Sequence, residues 1–96
     1  MMQFMVEFEL PDFTTDFMAL VPLQRLKINE LLEAGKLNAY SLAMDRSKLW
    51  CIVNADTEET VYHIIGDFPL IGYMKPTVYP LMFNNSVTRV PSFSLN

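Results

Sequence analysis

Cysteine, glycine and basic charge are all scarce in this sequence. It has one cysteine, three glycines and seven lysines and arginines, against eleven aspartates and glutamates. A lone Cys51 cannot close an internal disulfide, so nothing calls for an oxidising compartment. Three glycines leave no glycine-rich loop of the kind that cradles phosphate, which speaks against a nucleotide cofactor. The basic residues (Arg25, Lys27, Lys36, Arg46, Lys48, Lys75 and Arg89) are scattered along a chain of net charge -4. A phosphate backbone needs a basic stripe, so nucleic acid is not an expected partner. Cysteine, histidine and acidic residues do not recur at metal-ligand spacing, and no metal is expected. No apolar run approaches the roughly 18 residues that a membrane helix needs. The N-terminal stretch carries Glu7 and Glu9 rather than the basic start of a secretion signal. The expectation is a cytoplasmic protein with no membrane partner.

What the chain does have is apolar mass, 51% of its residues. One domain over residues 1–96 is near the lower end of sizes that bury a workable core. It has too much surface to hide that many apolar groups, so apolar surface shared with a second copy is expected. Phe4, Val6, Phe8 and Leu10 alternate with Met5, Glu7 and Glu9, the period-2 spacing of a strand. A helix is predicted over 14–33 from Phe17, Leu20, Val21, Ile28, Leu31 and Leu32. Pro22 inside it predicts a kink, or a short helix followed by a second. Gly35 suits the left-handed position that closes a helix.

Strands are predicted over 37–44 and 49–55 around the polar hairpin tip Asp45-Arg46-Ser47-Lys48. Asp56 with Glu59 has the spacing of a capping box before a second helix carrying Val61, Ile64, Ile65 and Phe68. A last strand is predicted over 73–81, where Pro76 and Pro80 favour a sheet edge, followed by a polar tail over 82–96. The order is βαββαβ. Such a chain is an α+β, ferredoxin-like domain: a four-stranded antiparallel sheet with two helices on one face. Alternation sends Phe4, Val6, Phe8, Cys51, Val53, Met74 and Val78 under the helices. It leaves Met5, Glu7, Tyr40, Leu42, Trp50, Ile52, Tyr73, Thr77 and Tyr79 on the other face. That second face is too apolar for water, and pairing two of them predicts a homodimer of the dimeric α/β barrel type.

The run Phe68-Pro69-Leu70-Ile71-Gly72-Tyr73-Met74, followed by Val78-Tyr79-Pro80-Leu81, resembles the muconolactone isomerase family. A Pro-Leu-x-x-Tyr-Met run there leads from the second helix into the last strand. The resemblance reaches back through the second hairpin and residues 31–35 to Leu10-Pro11, and so covers most of the chain. It implies a cofactor-free oligomer that shifts a double bond in a lactone by moving a proton. The chain departs from the family pattern in two places. Leu37-Asn38-Ala39-Tyr40-Ser41-Leu42 stands where the family has a Trp/His/Arg-rich strand, and Asn84-Asn85 stands for its His-Pro. Those departures point away from muconolactone itself as substrate.

Moving a proton next to a carbonyl needs a base of raised pKa and a group to stabilise the enolate. Glu7 is the candidate base, desolvated on the aromatic face beside Trp50, with Tyr40 or Tyr73 as oxyanion partner. The plainer alternative puts Glu7 at an interface rim, or paired with Arg46 or Lys75. Trp50 is a candidate for substrate contact. Arg46 in the hairpin tip and Arg25 on the first helix are candidate clamps for a small carboxylate, or else solvated and salt-bridging residues. His63 lies off its helix's apolar stripe, and Cys51 reads as a buried structural thiol. The expected activity is a cofactor-free isomerase acting on a small unsaturated lactone or enolisable carbonyl compound. Alternatives are a non-catalytic homodimer that binds a small ligand or scaffolds an assembly, and a cofactor-free monooxygenase-like enzyme.

Overall fold

The computed structural model of the chain describes residues 2–86; most of the predicted tail, residues 87–96, lies outside the described residues. Four strands, β1 (Met2–Glu9), β2 (Leu37–Leu42), β3 (Lys48–Ala55) and β4 (Lys75–Leu81), form one sheet in the order β2-β3-β1-β4. Each neighbouring pair is antiparallel. Helices α1 (Thr15–Ala19), α2 (Val21–Glu33) and α3 (Glu58–Gly66) pack their buried residues into one core with the sheet. The architecture is α+β and compatible with a ferredoxin-like fold.

Local chemistry explains where the elements start and stop. Thr14 caps α1, its hydroxyl accepting from the Phe17 amide at 3.2 Å. Leu20 ends α1 and opens α2, so Pro22 falls in the first turn of a new helix. Its missing N–H has no intrahelical partner to lose there. The predicted break at Pro22 is therefore two helices rather than a kink. Gly35 sits at φ 74° after α2, where a side chain would be strained. The second capping residue is Thr57, not the predicted Asp56. The Thr57 hydroxyl accepts from the Thr60 amide at 3.1 Å, one register later than the Asp56–Glu59 spacing suggested. Pro76 and Pro80 lie on β4, an edge strand, as their lost amides demand.

The face under the helices is built as the first strand predicts. Phe4, Val6 and Phe8 are each at most 2% exposed, opposite Val53, Cys51 and Leu49 of β3. The second strand differs from simple alternation. Leu37 pairs with Val53 and Ala39 with Ile52, so two steps on β2 match one step on β3 and Asn38 is a bulge. One extra residue inverts every side chain that follows. Tyr40, opposite Cys51, and Leu42, opposite Leu49, therefore lie under the helices, not on the open face predicted for them.

Asn54 holds the bulge. Its Nδ2 donates to Gly35 O and to Asn38 Oδ1, both at 2.8 Å, and its Oδ1 accepts from Gln3 Nε2 at 2.9 Å. Tyr73 is also displaced from its predicted place, because residues 71–73 form a single 3₁₀ turn and β4 begins only at Lys75.

Candidate functional site

The helices do not cover the whole of their side of the sheet. A cavity of about 530 Å³ opens between α1–α2 and the β2–β3 side of the sheet. Its walls are mainly apolar: Phe13, Phe17, Val21, Ile28, Leu49, Leu70 and Met74, with Leu42 and Leu32 on the exposed side. Four polar residues join them, namely Gln24, Arg25, Asn29 and Tyr40. An apolar chamber of this size with a few placed polar groups is the general form of a small-molecule site.

The polar groups come from different levels of the chain. Gln24 occupies the sheet-facing stripe of α2 with Ile28 and Leu31, and is 3% exposed. A buried amide must find partners, and it has two. Gln24 Oε1 accepts from the Leu70 amide at 3.0 Å, and Nε2 donates to the Tyr40 hydroxyl at 3.1 Å. Tyr40 reaches this face only because of the Asn38 bulge. Burial holds its phenol above the ordinary value, with the Gln24 bond acting the other way. Tyr40 is thus a neutral hydroxyl at physiological pH, and its own proton remains for a further acceptor.

The Pro69-Leu70 run closes one end. Phe68 packs against Phe8 and, edge-on, against Tyr40, at 5.8 and 6.5 Å between ring centres. Leu70 supplies the amide to Gln24, Met74 lines the cavity, and the Tyr73 ring meets Phe17 edge-on at 5.7 Å.

The predicted site residues are divided between the two faces. Tyr40 and Arg25 line the cavity. Tyr73 stands behind its Phe17 wall, and the Arg46 guanidinium lies 5.4 Å from the ring centre of Phe13, another wall residue. Arg46 holds the hairpin tip at φ 66°, a left-handed conformation closed by Asp45, whose Oδ1 accepts from both the amide and hydroxyl of Ser47.

Glu7 and Trp50 sit on the open face, in one cross-strand row with Ser41 and Thr77. Trp50 Nε1 donates to Glu7 Oε1 at 3.1 Å, and Lys48 Nζ to Oε2 at 3.2 Å. Glu7 was expected to have a raised pKa. The structure reverses that expectation: the Trp50 hydrogen bond first, then Lys48, pull its carboxyl below the usual value. Its side chain is 31% exposed, so burial does little to oppose them. Glu7 is an ionised, paired carboxylate, and it does not share a face with Tyr40. The ion pair foreseen as the plainer alternative exists, but with Lys48 rather than Arg46 or Lys75.

Gln24 and Asn29 were not among the residues singled out from sequence. For Gln24 a signal existed: it is a polar residue on a stripe otherwise marked by Phe17, Val21, Ile28 and Leu31. Polar groups on such a stripe stay only when hydrogen-bonded. Cys51, opposite Tyr40 in register, is 1% exposed, and burial pushes its thiol up to about 12. It is structural. Among the described residues no three His, Cys, Asp or Glu side chains converge on a metal-binding position. None of the helices among the described residues is long and apolar enough to cross a membrane. No family model matches this sequence, and no curated protein matches it.

Proposed function

We propose that this chain is a muconolactone isomerase-like protein that takes a small unsaturated lactone or enolisable carbonyl compound into the helix-side cavity. The observation that carries this reading is the Tyr40 hydroxyl, lining an apolar chamber and held by Gln24 so that its proton is left to donate. A carbonyl oxygen is the natural acceptor. Donation strengthens as negative charge develops on that oxygen, so the same bond that orients the ligand favours its enolate, the proton from the neighbouring carbon passing to solvent base through the open side of the cavity. Arg25 at the wall adds positive charge that suits a ligand bearing a carboxylate.

A second reading, ligand binding without turnover, is favoured by one observation: among the described residues no carboxylate or histidine lines the cavity. The two readings part in one experiment. Unsaturated lactones are titrated into the protein by NMR, and uptake of deuterium at the carbon next to the carbonyl is followed in D2O. Binding with deuterium uptake above the buffer rate supports the isomerase. Binding without uptake leaves the binding domain. Tyr40→Phe is expected to weaken lactone binding about five- to tenfold, the net value of one hydrogen bond. An unchanged affinity would remove Tyr40 from the site.

The open sheet face belongs to the same proposal as a homodimer interface in a dimeric α/β barrel. Its central row is Ala39, Ile52, Met5 and Tyr79, and Tyr79 is 48% exposed. With the Trp50–Glu7–Lys48 cluster beside that row, Glu7 becomes an interface group rather than a base. A cytoplasmic setting fits the single buried thiol. Light scattering that returned the mass of a single chain at tens of micromolar would sink the dimer.

A further inference from the structure

We infer that Gln24 is the residue that sets the polarity of the cavity, making it select hydrogen-bond acceptors over donors. The inference rests on the proposed ligand cavity and adds the rule by which it discriminates.

Three bonding facts force the result in sequence. A backbone amide can only donate, so the Leu70 N–H, 3.0 Å from the Gln24 side chain, requires the amide oxygen on its side. The Gln24 nitrogen must then face Tyr40, 3.1 Å away, and an amide nitrogen can only donate. The Tyr40 oxygen is therefore committed as acceptor, and its proton must go to something else. Gln24 is 3% exposed and lies in the core stripe of α2, so neither water nor rotation readily undoes the arrangement. The backbone of the Pro69-Leu70 turn thus dictates, through one side chain, which end of a hydroxyl a ligand meets. A ketone or lactone carbonyl is accepted. A ligand offering only an N–H finds an oxygen already engaged and a competing proton.

Gln24 does this without touching the ligand's reacting atoms; it is a positioning residue. The ionisable groups around it are the Tyr40 phenol, the Cys51 thiol opposite Tyr40 on β3, and Arg25, the next residue of α2.

The test uses three bicyclic probes of similar size: 1-indanone (acceptor only), indole (N–H donor) and indene (neither). Affinities are read by NMR titration for the wild type, Gln24→Glu, Gln24→Met and Tyr40→Phe. The wild type is expected to bind 1-indanone about tenfold more tightly than indene, and indole no better than indene. In Gln24→Glu above the carboxyl's titration, both side-chain oxygens accept. Leu70 N–H donates to one, and the Tyr40 proton is drawn to the other. The preference for 1-indanone over indene then falls to about one, and indole gains several-fold. Acidification protonates the new carboxyl, restores a donor to Tyr40 and returns the ketone preference. A merely structural role for Gln24 would weaken all three probes together, without this exchange of rank.

Gln24→Met keeps the volume and frees the Tyr40 hydroxyl to turn either way, so it is expected to narrow the gap between 1-indanone and indole. It carries the test if the carboxylate variant does not fold. A tenfold preference for 1-indanone over indene that persists in Gln24→Glu at alkaline pH, or a gap between 1-indanone and indole that stays as wide in Gln24→Met as in the wild type, overturns the inference while leaving the cavity intact. A wild type that binds all three probes equally overturns the inference but keeps the cavity, and one that binds none overturns the cavity reading and the inference with it.

Discussion

Removing the Asn54 side chain tests the device that places Tyr40. Asn54 makes three hydrogen bonds, to Gln3, Gly35 O and Asn38, all between 2.8 and 2.9 Å. Each is worth about 0.5–1.5 kcal/mol net, and a sum near 4 would follow if all partners were stranded in the core. They are not: Asn38 and Gly35 are exposed and can turn to water, so Asn54→Ala should cost about 2 kcal/mol. For a domain of 96 residues that is a fall in Tm of roughly 10 °C. Asn54→Asp is the sharper probe. It is isosteric and keeps the acceptor for Gln3, but it loses both donors and turns a charged oxygen toward the backbone Gly35 O, which unlike the Asn38 amide cannot turn to donate. It should be less stable than Asn54→Ala at pH 7, despite the closer shape. Urea unfolding followed by Trp50 fluorescence and by circular dichroism measures both. Because the bulge is loosened, the NMR signature of the Gln24–Tyr40 bond should weaken along with stability. The reasoning fails if Asn54→Asp is as stable as the wild type, or if Asn54→Ala costs less than about 0.5 kcal/mol.

Two further outcomes follow from the ionisable groups. The Glu7 carboxyl is held below its ordinary 4.5, so it stabilises the folded state above that pH. The contribution is lost as the pH falls from there through the lowered native value. Glu7→Gln should therefore flatten the acid limb of a stability–pH profile, and a limb unchanged by the substitution would show that the Trp50–Lys48 contacts have no weight. The Cys51 thiol is held up to about 12 against an ordinary 9, so its proton is retained in the folded state where the unfolded chain would lose it. Stability should decline between about pH 9 and 12, and at pH 8 Cys51 should resist alkylation until urea unfolds the chain. Rapid labelling of the native protein would contradict the burial.

Much of the architecture was legible because it follows from local rules. The alternation of Phe4, Val6 and Phe8, the break at Pro22, the left-handed Gly35 and the edge prolines each follow from a residue's own stereochemistry, which needs no partner to act. The site was less legible. Tyr40 and Tyr73 were expected beside Glu7, yet Tyr40 is inverted by a bulge and Tyr73 falls in a 3₁₀ turn before β4. A bulge leaves little mark in the sequence of its own strand: Asn38 is held by Asn54, sixteen positions away on the neighbouring strand. The direction of the Glu7 pKa shift is not legible in the sequence for a related reason. Its sign depends on whether Trp50 presents an indole N–H or an apolar ring edge, and composition does not distinguish them.

The residue sequence alone determined the α+β pattern, the excess of apolar surface and the want of a basic stripe or metal spacing, because these are sums or periods along one chain. Only the tertiary structure decided which face Tyr40 occupies, which groups share the cavity, and that Glu7 is paired away from it. Those outcomes turn on cross-strand register and on hydrogen bonds between residues far apart in sequence, such as Gln24 and Leu70. A shift of one residue exchanges the two faces of a strand.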